Sequence, residues 1–200
     1  MRLAGLSGRG ADLSDRVVRP SCQGKPVDNA IDIRPEEPAD LAAIREVTRA
    51  AFATLEISDH TEQYIIDALR AAGALTISLV AERAGQVVGH IAFSPVTISD
   101  GTPGWYGPVS VLPEYQRQGV GAALIHAGLA QLKRLGARGC CLVGHPDYYP
   151  RFGFEHPSAL RVEGVPSEAF LVLPFDGPVP RGTVGFHAAF AATGPAAPSP

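Results

Sequence analysis

Val109-Ser110-Val111-Leu112-Pro113-Glu114-Tyr115-Gln116-Arg117-Gln118-Gly119-Val120-Gly121 is the stretch on which the fold turns. A β-rich run from Trp105 to Leu112 stops at a proline, and a Gly-x-Gly then opens a helix predicted over Gly119 to Leu135. Leu124, Ile125, Gly128, Leu129, Leu132 and Leu135 form one face of that helix, and Gly136 stops it. Strand, turn and helix in this order present backbone N–H groups to an anion. The first N–H groups of a helix lack intrahelical partners, and the macrodipole places about half a positive charge there, so a pyrophosphate is a suitable guest. Glycine lets a phosphate approach without a Cβ in the way, and Arg117 offers a charge-assisted contact. No Gly-Lys-Ser/Thr follows, and the spacing is not Gly-x-Gly-x-x-Gly, which removes the main support for nucleoside triphosphate hydrolysis. Taken alone, the glycine pair serves helix-to-sheet packing equally well.

On the N-terminal side, Ile31 to Arg34 reads as a short strand, followed by a helix opened by Pro38, where a missing N–H does no harm. Leu41, Ile44, Val47 and Ala51 are its expected buried stripe. A second helix is predicted from Asp59 to Ala72, with Tyr64, Ile65, Ala68 and Leu69 inward and Gly73 as its stop. Thr76 to Glu82 and Gln86 to Val96 read as a hairpin joined through Arg83-Ala84-Gly85. On the C-terminal side, Gly139 to Val143 is a short apolar strand, Pro146 to Phe152 a short helix and Phe170 to Leu173 another strand. The succession implies an α/β sheet of mixed direction.

With 200 residues, one domain with a substantial core is expected. A formal charge of −3 argues against a nucleic-acid partner, because such domains are usually strongly basic. No run approaches the roughly 18 apolar residues of a membrane span, and the first 30 residues lack a secretory h-region. A soluble, cytoplasmic protein with no membrane partner is the expectation. The 22 glycines and 18 prolines, a fifth of the chain, mark loops and tails. Residues 1–30 show no period and read as a flexible extension, 31–190 as the domain, and 191–200 as a loose tail. The three cysteines, Cys22, Cys140 and Cys141, lack Cys-x-x-Cys spacing, so neither a disulfide framework nor a zinc site is expected.

These motifs together resemble the GNAT superfamily of N-acetyltransferases. Gln116 to Gly121 match its Gln/Arg-x-x-Gly-x-Gly/Ala motif, after a strand ending Val111-Leu112-Pro113. Tyr149-Pro150-Arg151-Phe152-Gly153-Phe154 is similar to its Tyr-x-x-x-Gly-Phe segment. Val88 to Pro95 and Pro166 to Phe170 also look like one bacterial branch of predicted acetyltransferases. The resemblance spans Ile31 to Phe190. It implies a GNAT-like fold, a mixed, twisted sheet flanked by helices, with acetyl-CoA in a gap where Val109 to Leu112 and Gly139 to Val143 splay apart. It further implies that Ser110, Val111 and Leu112 face the pantetheine arm, and that Gln116, Arg117, Gln118, Gly119, Val120 and Gly121 hold the pyrophosphate. No metal is implied.

The implied reaction is direct attack of a neutral amine, on a small molecule or a protein, on the acetyl thioester. It needs proximity, an oxyanion donor, a route for the amine proton and an acid for the departing thiolate. Tyr149 is the candidate acid, with neighbouring N–H groups expected to lower its pKa. His90 is a candidate base because alternation puts it on one face with Ala92 and Ser94, although a structural role is open to it. Glu56 and His60 are loop candidates for contact with the amine. Cys140 and Cys141 should face opposite ways and pack as small apolar groups; His126, His145, His156 and His187 have no second ligand at metal spacing. A non-catalytic acyl-CoA sensor would need the turn but not Tyr149, and a partner-binding domain would need neither. The acceptor amine and the oligomeric state, a homodimer included, are left open.

Overall fold

A two-residue turn sets the register of the sheet's centre in this computed structural model, which describes residues 30–53, 61–111 and 119–195. Strands β2 (Ile77–Arg83) and β3 (Gln86–Pro95) meet across Ala84 and Gly85, whose φ angles are 51° and 77°. Two left-handed residues give the turn a twist that matches a hairpin, and Ala84 bears the strain of a Cβ in that region. Upstream lie β1 (Asp32–Pro35), α1 (Leu41–Phe52), which follows a 3-10 turn at Pro38–Asp40, and α2 (Glu62–Ala71). Downstream lie β4 (Thr97–Ile98), β5 (Trp105–Val111), α3 (Val120–Arg134) and β6 (Gly139–Val143). The chain continues through a 3-10 turn at Tyr149–Phe152, then β7 (Leu160–Arg161), β8 (Phe170–Pro174) and β9 (Gly182–Gly185).

Six strands form one sheet in the order β1-β2-β3-β5-β6-β8, antiparallel throughout except where β5 meets β6. Both faces of β2 are buried. Leu79 and Ala81 join Ile91, Phe93, Leu124 and Leu132 beneath α3, whereas Val80 joins Ile44, Ile66 and Leu69 beneath α1 and α2. Gly128 permits close approach on the α3 side, because a Cβ there would collide with the ring of Phe93. A second core of Val96, Ile98, Trp105, Cys141, Phe170 and Val184 ties the small sheet β4-β9-β7 to the β6 and β8 half.

Several expectations are refined. The second helix buries Ile66 and Leu69, with Tyr64, Ile65 and Ala68 only half-buried, and its expected start at Asp59 lies outside the described residues. Leu135 is not core: it is 61% exposed, because it sits at the C-cap, one residue beyond the helical face that α3 turns inward. The Pro146 to Phe152 helix is only the single 3-10 turn. The small sheet is not foreseen by the sequence. Its strands are two to four residues long, too short for alternation to register. Residues 1–29 and 196–200, most of the two expected tails, lie outside the described residues. Ala189 and Phe190 pack on the α1–α2 core, and the 3-10 turn that holds them runs on to Ala191.

Candidate active site

β5 and β6 are the only parallel neighbours in the six-stranded sheet, and their pairing is brief. Trp105 lies opposite Gly139 and Tyr106 opposite Cys140, after which β5 runs on to Val111 and β6 to Val143 with no further register between them. The backbone of β5 through Ser110 and Val111 is paired on its β3 side, Ile91 with Ser110 and His90 with Val111. Its other edge has no strand partner among the described residues. Such an edge offers N–H and C=O groups to an extended ligand. Val143, at the end of β6, leaves 48% of its surface exposed, an apolar patch that strand periodicity alone does not announce.

Leu112, Gln116, Arg117 and Gln118 lie outside the described residues. Gly119 lies within them. It is the N-cap of α3 at φ 85°, and a Cβ there would meet nothing within 4 Å among the described residues. No side chain among the described residues caps this end of α3, and no acidic residue stands in its first turn, while Lys133 and Arg134 occupy its last. The C-terminal half-charge is thus complemented by the protein itself, and the N-terminal one has no complement among the described residues.

Tyr149 begins the 3-10 turn that follows β6. Its ring packs edge-on to Phe154, with centroids 5.9 Å apart, and to Tyr148 at 5.1 Å. Gly144 lies against the ring so closely that no Cβ could occupy that position. Gly153 ends the 3-10 turn at φ 89°, which explains the glycine four residues after the tyrosine. No described residue hydrogen bonds the Tyr149 hydroxyl. Burial, then the neighbouring Tyr148 and Cys140, push its pKa up to about 12, opposite in direction to the lowering expected from nearby N–H groups.

Because Gly144 keeps the ring seated, Gly144→Ala is expected to displace Tyr149 while leaving the Gly119 corner untouched. The measurable result is a changed near-ultraviolet circular dichroism spectrum and a loss of about 1–3 kcal/mol of stability from overpacking.

His90 is fully buried and faces the α1–α2 layer, on the same side of the sheet as its register partner Val80 and opposite Tyr149. Its Nε2 is 2.8 Å from Ser78 Oγ and 3.6 Å from Glu36 Oε2. Glu36 accepts from Ser78 Oγ at 2.6 Å and from Arg70 Nε and Nη2 at 2.8 Å each. Burial raises the Glu36 pKa, but the donors Arg70, His90 and Ser78 overcome it and hold the carboxyl well below the usual range. Burial lowers the His90 pKa, and Glu36 only partly opposes this. Sequence reasoning missed Glu36, Ser78 and Arg70 because 42 residues separate the first two and 34 the first and last.

The remaining candidates separate. Cys140 faces the α3 core and Cys141 the small-sheet core, and burial raises both thiols, Cys141 to about 12, so neither is a ready nucleophile. His126 meets the edge of Phe152, His156 Nδ1 lies 3.2 Å from the Phe170 carbonyl, and His187 accepts from the Ala189 amide. His145 accepts from the Asp147 amide in an exposed turn. Glu56 and His60 lie outside the described residues. Among the described residues no three metal-ligating side chains converge, and no helix is long and apolar enough to cross a membrane.

A family model described as an acetyltransferase (GNAT) domain matches residues 75–156, which hold the β2–β3 hairpin, β5, α3, β6 and the Tyr149 turn. The Escherichia coli K12 protein YhbS, named an uncharacterized N-acetyltransferase, is 36% identical over 126 residues, 62% of this chain and 72% of its own length. A crystal structure of a GNAT family acetyltransferase from Brucella melitensis in complex with acetyl-CoA is 51% identical. It superposes with a TM-score of 0.72 over 81% of this chain and 99% of that one. The crystal structure of Escherichia coli YhbS in complex with CoA is 31% identical, with a TM-score of 0.70 over 82% of this chain and 93% of that one. The chain belongs to the GNAT family of acetyltransferases, and the expected fold, a mixed sheet with helices on its faces, is the one observed.

Proposed function

We propose that residues 31–190 transfer an acetyl group from acetyl-CoA to a primary amine of a small molecule or protein, by direct attack on the thioester. The observation that carries the reading is the gap between β5 and β6. Among the described residues it has a strand edge without a partner along one wall, an N-terminus of α3 that no side chain caps, and a phenol with no hydrogen-bond partner nearby. Acetyl-CoA bound to a 51% identical relative supports the same donor here.

The backbone of Ser110, Val111 and Leu112 would pair with the pantetheine arm. Gln116, Arg117, Gln118, Gly119, Val120 and Gly121 would surround the pyrophosphate, with amides and helix dipole supplying the positive potential. The amine nitrogen attacks the carbonyl carbon, the C–S bond breaks, the Tyr149 hydroxyl gives its proton to the departing sulfur, and the cationic nitrogen loses a proton to solvent, from which the phenolate regains one. A phenol at about 12 is a poor donor to a thiolate near 8.5 in water, a mismatch of roughly 5 kcal/mol. The same dry surroundings disfavour the thiolate as well, which narrows the gap and favours transfer between the two.

Saturating acetyl-CoA at about 100 times its Kd is expected to stabilise the fold by about 2.7 kcal/mol, read as a raised Tm. Calorimetry with acetyl-CoA, beside release of free CoA across a panel of amines, tests the whole reading. Tight binding with no amine-dependent CoA release would make the chain a sensor, and no binding would end the assignment.

A further inference from the structure

At the end of the sheet opposite the proposed donor site, β5 begins directly after Gly104 and β6 directly after Arg138, about 20 Å of strand away from Val111. Asp100, Thr102, Arg138, Ser158 and the Pro178–Arg181 segment enclose a cleft there. Its volume of about 420 Å³ is within the range of small-molecule sites. Arg138 runs from beside one wall to beside the other. Its Cγ lies 3.3 Å from where a Cβ on Gly104 would stand, and its Nη2 lies 3.1 Å from the equivalent point on Gly177. The Arg138 backbone is fixed at both its polar groups. Its amide donates to the Gly104 carbonyl at 2.8 Å, and its carbonyl accepts from the amides of Phe175 at 2.8 Å and Asp176 at 3.2 Å. Arg181 is held in the same way, its amide donating to Asp100 Oδ2 at 3.0 Å. Asp100 Oδ1 accepts from the Thr102 amide at 2.9 Å, so both oxygens of that carboxylate are engaged by backbone.

The two guanidiniums of this cleft differ from those of the α1–α2 half. Arg34, Arg45, Arg49 and Arg70 each meet a carboxylate at 2.6–2.8 Å. Arg138 and Arg181 meet none among the described residues. Two cations with anchored backbones and no counter-ion, sharing one polar cleft, form a receptor for an oxyanion. The planar N–H fork of arginine matches phosphate geometry bidentately, and a single carboxylate against two guanidiniums leaves the cleft with a net positive charge.

We propose that this cleft binds the phosphate group of a small phosphate-bearing molecule, clamped by Arg138 and Arg181, with the Ser158 hydroxyl as a further donor. The site shares no residue with the proposed acetyl-CoA site and stands without it.

The test titrates the whole chain with inorganic phosphate and, separately, with glycerol phosphate, at an ionic strength held constant with chloride. Saturating CoA is present throughout, so that the N-terminus of α3 does not compete for the anion. Arginine side-chain Nε–H signals and the backbone amides of Thr102 and Ser158 are followed by NMR. That readout is resolved by residue and holds even if CoA does not bind. Both phosphates should give saturable shifts at Arg138 and Arg181. Arg138→Gln should weaken both on the order of 10–100-fold through loss of charge-assisted bonds. Arg181→Gln, at an exposed position with no side-chain partner among the described residues, should do the same without disturbing the fold. Arg138→Lys keeps the charge but not the fork and should recover only part of the affinity. CoA should bind both Gln variants as it binds wild type. Shifts that do not saturate, that chloride alone reproduces, or that persist unchanged in both Gln variants overturn the proposal. Saturable binding of inorganic phosphate with none of glycerol phosphate means an adventitious ion only, and overturns it too.

Discussion

Tyr149→Phe is expected to lower kcat by about 10²–10⁴-fold, or roughly 3–5 kcal/mol of transition-state stabilisation, while acetyl-CoA binds as before. The substitution is unusually clean. Phenylalanine keeps the ring against Tyr148, Phe154 and Gly144, and the lost hydroxyl has no hydrogen-bond partner among the described residues. Nothing is orphaned by its removal, so thermal stability should stay within about 0.5 kcal/mol of wild type. A collapse in turnover with intact folding and intact donor affinity is the signature of a missing proton donor. Single-turnover measurement keeps chemistry, not CoA release, in view; an unchanged rate there would remove Tyr149 from the mechanism. The pH dependence carries a further check. With its pKa raised to about 12, the phenol stays protonated across the neutral range, so Tyr149 should contribute only an alkaline fall, and any acidic limb must belong to another group.

The elements that position this chemistry are largely legible in the sequence, for particular reasons. β6 can be read residue for residue because Cys140, Cys141, Leu142 and Val143 form an apolar run between glycines. Adjacent cysteines do face opposite cores, as a two-residue period requires. α3 is legible because its stripe repeats over four turns, and only Leu135 misleads, since spacing cannot show that a helix has already ended. The small β4-β9-β7 sheet is illegible: strands this short acquire their partners from tertiary contacts, with Thr97 meeting Gly185 across 88 residues. The same limit hides the Glu36–Ser78–His90 chain. His90 draws notice by its residue type, whereas the polar groups that contact it come from β2 and from the segment after β1, and no local pattern joins them. The role of Gly144 is equally hidden, because a close approach to a ring five residues later is a fact of packing, not of turn chemistry.

Trp105→Ala is expected to cost about 3–5 kcal/mol, the range for removing a large aromatic from a packed interior. For a domain of this size that corresponds to a fall in Tm on the order of 6–20 °C, read by circular dichroism. Trp105 is 1% exposed, belongs to the small-sheet core, and forms the first of the two parallel pairs between β5 and β6. Its indole fills the space a side chain on Gly139 would take: a Cβ there would lie 2.6 Å from the ring. The pair acts as a wedge that closes the sheet at one end, so that the strands can diverge toward the other. Gly139→Ala in the wild-type background should therefore destabilise by overpacking, about 1–3 kcal/mol, since indole and strand backbone have nowhere to go. With Trp105 already alanine the new methyl enters vacated space, and the penalty should vanish or reverse. A double-mutant cycle measures that coupling directly. Additive losses would mean that the ring and the glycine are independent, and that the divergence of β5 from β6 is held by something other than this contact.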